Sequence, residues 1–374
     1  MSLRSSPKPA QSTSTRPIFV AAVPRACSTA FERVRDLSQF LHPLASRHTE
    51  YPAKQVFMTC PDQVECIHEP FGEPYYYGPE RLGFRFNAPD QTDVRSKSGH
   101  PETTYRHIFD LLIQKHNFLQ KDVATNQAMA RRLFIKDIGH YLIPPSGPAS
   151  SVVPSLKDYS GSFSNISTST STSPSPSDLM SDRSNPTVVL VHLLSQFQFA
   201  FLIRHPQSSI PSYYRFTVPP LSQNTGFTYF EPTEVGFAEL RVLFDLSVIV
   251  LDADDLLDNP PGYVAEFCSR VCLSYSPAML EWGPSATPGG ARLHTEAEEK
   301  FRKWKGFHGD ALSSTGLKAR THKKKLMTDQ ECLDIWTKSY GVDAAEQILH
   351  CVHANIDHYN YLKQFSMKLP PSTD

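Results

Sequence analysis

The sequence has no surplus of charge, no long hydrophobic run and no cysteine framework. Its 374 residues include 37 Lys and Arg against 38 Asp and Glu, a formal net charge of −1, so no global field attracts nucleic acid or an anionic membrane. The longest apolar run, Val188–Ile203, is interrupted by four polar residues and is too short and too polar to span a bilayer. The composition therefore predicts a soluble protein without a nucleic-acid or membrane partner.

Cysteine usage and the N-terminal residues indicate a reducing compartment. The seven cysteines are odd in number and lack the regular spacing of a disulfide framework. Residues 1–16 are rich in Ser, Pro and basic residues and contain no apolar core of a secretory signal. We expect a disordered tail over 1–16 and a cytoplasmic location.

Length and composition predict one domain that carries an insertion. A chain of 374 residues with 40% hydrophobic residues can bury one large core or two modest ones. Residues from about 148 to 186 are mostly Ser, Thr and Pro and cannot bury enough apolar surface to offset their ordering entropy. We expect a single domain over 17–374, with a disordered insertion at 148–186 and a helical C-terminal part.

Apolar runs alternate with helical patterns along the chain. This alternation predicts an α/β fold, a three-layer sandwich with a central parallel sheet of about five strands covered on both faces. The predicted strands are Ile18–Val23, Val64–Ile67, Leu133–Ile135, Phe197–Ile203 and Leu246–Leu251. The predicted helices are Thr29–Leu41, Thr104–Gln114, Val188–Leu194, Val235–Leu243, Gly262–Cys272, Gln330–Ser339 and Ala344–Tyr361.

The first strand leads into a candidate anion site. It ends at the turn Pro24-Arg25, and Ser28 then stands at the N-cap of a helical pattern. Free backbone N–H groups and the positive end of the helix dipole meet at such a position, which predicts a phosphate-bearing ligand. The turn contains no glycine, and Cys27 stands where a nucleotide-hydrolysing loop has Lys. Arg25 is therefore its only fixed cation; the alternative is a purely structural turn.

A second candidate anion site follows the fourth predicted strand. Arg204 ends that strand, and Ser212 comes about two helical turns later. Both side chains can reach one phosphate, the arginine as a bidentate clamp and the serine as a neutral donor.

Together the two elements resemble the sulfotransferase superfamily, over roughly 17–311. In that family a Pro-Lys/Arg-x-x-Ser/Thr-Thr loop binds the 5′-phosphosulfate of 3′-phosphoadenosine 5′-phosphosulfate, and an Arg-x-Pro-x₅-Ser element binds its 3′-phosphate. The resemblance implies a P-loop NTPase-like fold and this donor as co-substrate, without a metal. The donor-binding residues it implies are Arg25, Ala26, Cys27, Ser28, Thr29, Arg204 and Ser212. Lys305 and Gly306 look like the family's C-terminal phosphate segment, although a solvated charged helix is an equal alternative.

Two strand ends carry candidate catalytic groups. Glu69, directly after the second strand, is the first candidate for the base that deprotonates an acceptor hydroxyl. Lys136 and His140 resemble an Ile-Lys-Thr-His element in which Lys contacts the leaving oxygen and His is the base. Here His140 follows Lys136 by four residues instead of two, and it would lie one turn beyond if a helix begins at Asp137. A structural role for Glu69 or His140 is the alternative.

The resemblance implies transfer of a sulfuryl group to a hydroxyl of a small-molecule acceptor, as in fungal secondary-metabolite biosynthesis. Two alternatives stay open: sulfation as an activating step toward elimination or cyclisation, and a non-catalytic binding protein. The histidines and cysteines form no convincing metal site in the sequence. Acceptor identity and oligomeric state are not determined by these patterns.

Overall fold

A five-stranded parallel sheet forms the centre of the molecule. The structure is a computed structural model that describes residues 15–26, 57, 60, 62–126, 131–145, 147, 149, 151–163, 185–246, 249–281, 307 and 316–370. The strands are β1 (Ile18–Ala22), β2 (Val64–His68), β3 (Arg132–Ile138), β4 (Gln198–Ile203) and β5 (Val250–Asp252). Their order in the sheet is β2-β3-β1-β4-β5, and every pairing is parallel. This confirms the predicted α/β class with a parallel sheet of five strands.

Helices flank the sheet. Eleven α-helices fall in the described residues: α1 (Gly72–Tyr76), α2 (Thr92–Lys97), α3 (Tyr105–Asn126), α4 (Val191–Leu194), α5 (Pro206–Tyr214), α6 (Ser222–Thr225), α7 (Phe237–Leu243), α8 (Ala253–Asp258), α9 (Pro260–Arg270), α10 (Asp329–Tyr340) and α11 (Val342–Gln364). None of the described helices is long and apolar enough to cross a membrane.

Aromatic side chains fill the core beside the central strand. All five residues of β1 are buried, as expected for a strand covered on both faces. The ring centroid of Phe19 lies 5.4 Å from the centroid of Phe197, 5.0 Å from that of Phe199 and 6.2 Å from that of Phe71. The Phe71 ring in turn lies 5.2 Å from Phe109 of α3. These contacts fix the loop after β2 against the sheet.

The structure corrects two of the predicted boundaries. Strand β3 continues through Asp137 to Ile138, so the expected helix start at Asp137 is wrong; a 3₁₀ turn, Gly139–Leu142, follows the strand instead. Of the predicted helix Val188–Leu194, only Val191–Leu194 is helical. The predicted helix Thr29–Leu41 lies outside the described residues.

Part of the predicted disordered insertion belongs to the fold. Residues 151–163 are described and contribute Val153, Leu156, Tyr159 and Phe163 to the core. The backbone N–H of Val153 donates to the carbonyl of Val188 at 2.9 Å. The apolar residues dispersed among the serines are therefore numerous enough to anchor this part, and the prediction is wrong for 151–163. Residues 164–184 lie outside the described ones.

At the N-terminus, Arg16 belongs to the fold rather than to a disordered tail. Its guanidinium donates to the carbonyl of Ser195 at 2.6 Å, and its own carbonyl accepts from Arg132 Nε at 2.7 Å. Residues 1–14 lie outside the described part of the chain.

Candidate active site

The candidate site lies at the carboxyl ends of β1, β3 and β4. The chain leaves β1 toward β2 on one side of the sheet and leaves β4 toward β5 on the other. Loops that diverge in this way open a crevice between neighbouring strands, where ligands of parallel α/β folds bind. Arg25 follows β1 and Arg204 follows β4, so the topology alone places the two predicted anion-binding arginines at this crevice.

Arg25 joins the two predicted anion-binding elements. Its φ of 61° is unusual for a residue with a side chain. The guanidinium donates from Nε to Ser212 Oγ at 3.1 Å and from Nη1 to the carbonyl of Phe307 at 2.8 Å, and it lies 4.3 Å from the centroid of the Phe216 ring. The element after β1 and helix α5 therefore meet at one guanidinium.

Arg204 completes this cluster. Its Nη1 donates to the carbonyl of Arg25 at 3.3 Å, and its Nε lies 3.9 Å from Asp254 Oδ1. Burial alone would raise the pKa of Asp254, but Arg204, Lys324 and Arg320 outweigh it and hold that pKa below its ordinary value. The ionised Asp254 in turn holds the arginine at the end of β4.

The remaining predicted donor-binding residues have different placements. Ala26 is buried, and its N–H donates to the carbonyl of Val23 at 3.3 Å. Cys27, Ser28, Thr29, Lys305 and Gly306 lie outside the described residues.

The turn after β2 holds Glu69 against the end of β3. Glu69 adopts a φ of 41° and donates its N–H to the carbonyl of Lys136 at 2.7 Å. Two residues later, the N–H of Phe71 donates to Asp137 Oδ2 at 2.8 Å. Asp137 Oδ1 also accepts from the N–H of Ile138 at 2.8 Å. The turn is thus pinned to β3 at two points, which supports the unfavourable backbone conformation of Glu69.

The Glu69 carboxylate is paired inside the protein. Lys136 Nζ is hydrogen-bonded to Glu69 Oε1, and His68 Nε2 lies 3.8 Å from the same oxygen. The side chain of Lys136 is 2% exposed and that of Glu69 is 21% exposed. Burial, together with the nearby Glu69 carboxylate, raises the pKa of Asp137 well above its ordinary value. Lys136 is therefore the cation that compensates two neighbouring carboxyl groups.

His140 is buried in the 3₁₀ turn after β3. Neither ring nitrogen has a hydrogen-bond partner among the described residues. Its ring centroid lies 5.3 Å from that of Tyr75 and 4.8 Å from that of Tyr141. Burial lowers the pKa of His140 to about 3, so the imidazole is neutral at physiological pH.

These groups surround one pocket of about 750 Å³, a volume that includes solvent at its mouth. Arg25, Glu69 and His140 line it together, although they come from three separate stretches of the chain. Tyr76, from the run of three tyrosines at positions 75–77, also lines the pocket. Among the described residues, Lys136 does not line the pocket itself, but it is hydrogen-bonded to Glu69, which does.

The sequence did not reveal a buried ion pair in the pocket wall. Arg85 donates to Glu234 from Nε at 3.1 Å and from Nη2 at 2.7 Å, and also to Tyr213 Oη at 3.0 Å and to the carbonyl of Tyr229 at 2.9 Å. The Tyr213 hydroxyl donates to Glu234, and both of these residues line the pocket. The only signal in the sequence was a charged residue between two aromatic ones, Phe84-Arg85-Phe86. This pattern gives no indication that Arg85 pairs with a residue 149 positions away.

The arrangement supports polar chemistry on a bound small molecule. Arg25, one member of the arginine cluster, lines the pocket together with the Glu69 carboxyl group and the neutral imidazole of His140. Within the described residues, no group of three or more His, Cys, Asp or Glu side chains is placed to hold a metal ion.

Comparison with known proteins gives one informative match. Residues 191–296 match the model of a sulfotransferase domain family, a segment that contains Arg204 and Ser212. This match confirms the predicted family resemblance and enzyme class. No curated protein sequence matches the chain.

Among solved structures, the sulfotransferase domain from the curacin biosynthetic pathway aligns over 97% of this chain and 95% of its own, with 13% identity and a TM-score of 0.31. A similarity at this level supports no argument about the site.

Proposed function

We propose that this chain, which carries a sulfotransferase domain, transfers a sulfuryl group from 3′-phosphoadenosine 5′-phosphosulfate to a hydroxyl group of a small-molecule acceptor. The observation that carries the proposal is the bond between Arg25 Nε and Ser212 Oγ, with Arg204 on the carbonyl of Arg25. Two sequence elements 187 positions apart that each match a donor-phosphate motif thereby form one cationic cluster beside a pocket.

The cluster suits a polyanionic donor. Arginine presents a planar set of donors that matches phosphate oxygens, and charge-assisted hydrogen bonds are stronger than neutral ones. Arg25 and Ser212 already lie within hydrogen-bond distance of one another, at 3.1 Å. We assign Arg25 to the phosphosulfate end of the donor, and Arg204 with Ser212 to its 3′-phosphate.

The transfer step uses two groups that line the pocket, Glu69 and Arg25. Glu69 accepts the proton of the acceptor hydroxyl as the hydroxyl oxygen forms a bond to sulfur. The bond from sulfur to the 5′-phosphate oxygen breaks, and its electron pair leaves with 3′-phosphoadenosine 5′-phosphate. Arg25 stabilises the charge that develops on this leaving oxygen.

Lys136 and His140 support this step in different ways. Lys136 favours the ionised form of Glu69, since an adjacent opposite charge stabilises a carboxylate. His140 contacts the same pocket with a neutral imidazole and is the alternative base. Glu69 is our first choice because its hydrogen bond to Lys136 fixes the position of its carboxyl group in the pocket.

Calorimetric titration with 3′-phosphoadenosine 5′-phosphate tests the donor site. Arg204→Ala removes charge-assisted hydrogen bonds worth about 1.5–3 kcal/mol, so we expect its affinity to fall roughly 10- to 150-fold. The matched control is Arg106→Ala, an arginine of α3 with a side chain 55% exposed and paired to Asp110 at 3.7 Å. Its affinity should equal that of the unsubstituted protein.

Two further measurements complete the test. Ser212→Ala removes a neutral hydrogen-bond donor, so it should weaken nucleotide binding less than Arg204→Ala does. This difference distinguishes the loss of a ligand contact from a loss of folding. Transfer of radiolabelled sulfate from the donor to a panel of hydroxylated metabolites then tests the reaction. If the unsubstituted protein does not bind the nucleotide, the proposal is wrong.

The biological setting belongs to the same proposal. The resemblance to sulfotransferases of fungal secondary-metabolite biosynthesis suggests a metabolite acceptor, and the cysteine pattern suggests the cytoplasm. Comparing metabolites of a strain with and without the gene would test the first suggestion, and imaging of a tagged chain the second.

A further inference from the structure

A segment that comes after the family match in the chain lies beside the cluster of arginines. Residues 317–328, here called the strap, contain no helix or strand, but hydrogen bonds fix their position. The N–H of Arg320 donates to the carbonyl of Leu257 in α8 at 2.9 Å. Gln207 of α5 donates from Nε2 to the carbonyl of Met327 at 2.9 Å, and its Oε1 accepts from the N–H of Met327 at 3.3 Å. The strap therefore connects helix α8 with helix α5.

Arg320 joins the strap to α8 through its side chain, which is 9% exposed. Its Nη1 donates to Asp254 Oδ1 at 3.1 Å, its Nε donates to Asp258 Oδ1 at 2.9 Å, and its Nη2 donates to the carbonyl of Asp254 at 2.5 Å. Hydrogen bonds between a guanidinium and a carboxylate are stronger than neutral ones. The Arg320 guanidinium is thus held in one position along α8.

Asp254 is shared between Arg320 and Arg204. Its Oδ1 lies 3.1 Å from Arg320 Nη1 and 3.9 Å from Arg204 Nε, so the contact with Arg320 is the shorter one. Its Oδ2 accepts from the N–H of His205 at 3.4 Å. A carboxylate beside Arg320 attracts Arg204 less than an uncompensated carboxylate would, because the field of the second cation offsets that of the carboxylate.

The strap supplies a further cation beside α5. Lys324 Nζ is hydrogen-bonded to Ser208 Oγ in this helix. Together with Arg204 and Arg320, Lys324 holds the pKa of Asp254 below its ordinary value, against the effect of burial. These three cations face two carboxylates, the partners of Arg320 on α8. The resulting positive excess favours an anion beside Arg204.

We propose that Arg320 is a positioning residue for donor binding: it compensates Asp254, so that the Arg204 guanidinium binds a phosphate of the nucleotide instead of this carboxylate. The inference rests on the proposed function, which identifies the anion as the donor nucleotide. It extends the donor-binding part of the protein to a segment that neither the anion-binding motifs nor the family match includes.

Arg320→Met tests this role by calorimetric titration of the full chain with 3′-phosphoadenosine 5′-phosphate. We expect the affinity to fall roughly tenfold, within the range of coupling between residues in contact, because the uncompensated Asp254 then competes with the phosphate for Arg204. The matched control is Lys318→Met, which removes the same charge from an exposed position of the strap and should leave the affinity unchanged.

The double variant Arg320→Met with Asp254→Asn distinguishes a positioning role from direct contact with the nucleotide. If Arg320 acts through Asp254, its replacement should change the affinity by less than about twofold when Asp254 is already asparagine. If Arg320 contacts the nucleotide directly, its replacement lowers the affinity equally with Asp254 and with asparagine at this position, and that result would overturn the inference.

Two further variants keep the test decisive. Arg320→Lys retains the charge beside Asp254, so it should restore most of the affinity that Arg320→Met loses. Arg320→Gln is neutral but can still hydrogen-bond to both carboxylates. If the methionine variant fails to fold, as its melting temperature would show, Arg320→Gln takes its place with the same expected loss of affinity.

The outcomes separate this inference from the proposed function. If the unsubstituted protein binds the nucleotide and the neutral variants of Arg320 bind it equally well, the inference alone is wrong. The same holds if Lys318→Met loses as much affinity as they do, because the effect would then be one of general charge. If the unsubstituted protein does not bind the nucleotide, the proposed function is wrong and this inference with it.

Discussion

Replacing Arg85 with methionine should destabilise the protein in a pH-dependent way. Arg85 and Glu234 have side chains only 1% and 3% exposed, and their closest atoms lie 2.7 Å apart. Arg85→Met leaves Glu234 buried without its cation. Breaking a buried ion pair by removing one partner costs about 3–5 kcal/mol, a large part of the roughly 5–15 kcal/mol that holds a typical domain folded.

The sign of the pH dependence follows from the Glu234 carboxyl group. Burial raises its pKa, and Arg85 opposes that rise. Without Arg85 the pKa in the folded state rises further above the unfolded value of about 4.3. Below a pH of about 4.3 the Glu234 carboxyl is protonated in the folded and in the unfolded state. Its charge then does not lower the free energy of unfolding of the variant. As pH increases above that value, the deficit grows by about 1.4 kcal/mol per pH unit, until the pH exceeds the folded-state pKa.

Urea denaturation at pH 5.0 and 7.5 measures both quantities. We expect the free energy of unfolding of Arg85→Met to fall below that of the unsubstituted protein by more at pH 7.5 than at pH 5.0. The double variant Arg85→Met with Glu234→Met, which removes both charges, should recover more than half of the loss at pH 7.5. A deficit equal at the two pH values, or a double variant no more stable than the single one, would refute the reasoning.

Three other variants or titrations test the site. Glu69→Gln should lower kcat by about 10²–10⁴-fold in initial-rate assays without weakening nucleotide binding; an unchanged kcat would instead make His140 the base. Because burial lowers the pKa of His140 to about 3, its imidazole resonances should not titrate by NMR between pH 5 and 8. Its pKa in the folded state lies below the unfolded value of about 6.5, so His140 should also reduce stability progressively as pH falls below that value. Gly236→Ala should reduce stability more than Gly226→Ala. The two glycines have nearly equal φ, 74° and 73°, so the backbone strain is the same. Only at Gly236 would the added Cβ approach another side chain, at 2.9 Å from His140 Nδ1. Thermal melts of the two variants would contradict this if their losses were equal.

Local patterns predicted the sheet and indicated which polar residues meet at one of its edges. A fully apolar run such as Ile18–Ala22 is typical of a central parallel strand, and the polar residues that follow such strands must meet at one edge. Arg25, Arg204 and Ser212 were identified in this way. Because each residue belongs to a motif of fewer than ten positions, its role needed no knowledge of distant parts of the chain.

Residues that pair across the fold could not be predicted. No local pattern connects Arg85 with Glu234, and Tyr213 of α5 contacts both of them in the fold. The burial of a side chain could not be predicted either. Lys136 was expected to contact the leaving oxygen, and in the structure it is buried and hydrogen-bonded to Glu69. The ordering of 151–163 depends on four apolar residues that a composition average over the whole insertion conceals.

Two consecutive residues of helix α5, Ser212 and Tyr213, contact different parts of the candidate site. Ser212 accepts the hydrogen bond from Arg25, and Tyr213, the next residue, is bonded to Arg85 and Glu234 in the pocket wall. A rotation of the helix about its axis displaces both residues together. Under the proposed function, a nucleotide that binds Ser212 and an acceptor that contacts Tyr213 are coupled through this helix, and thermodynamic reciprocity then requires that each changes the affinity of the other by the same factor.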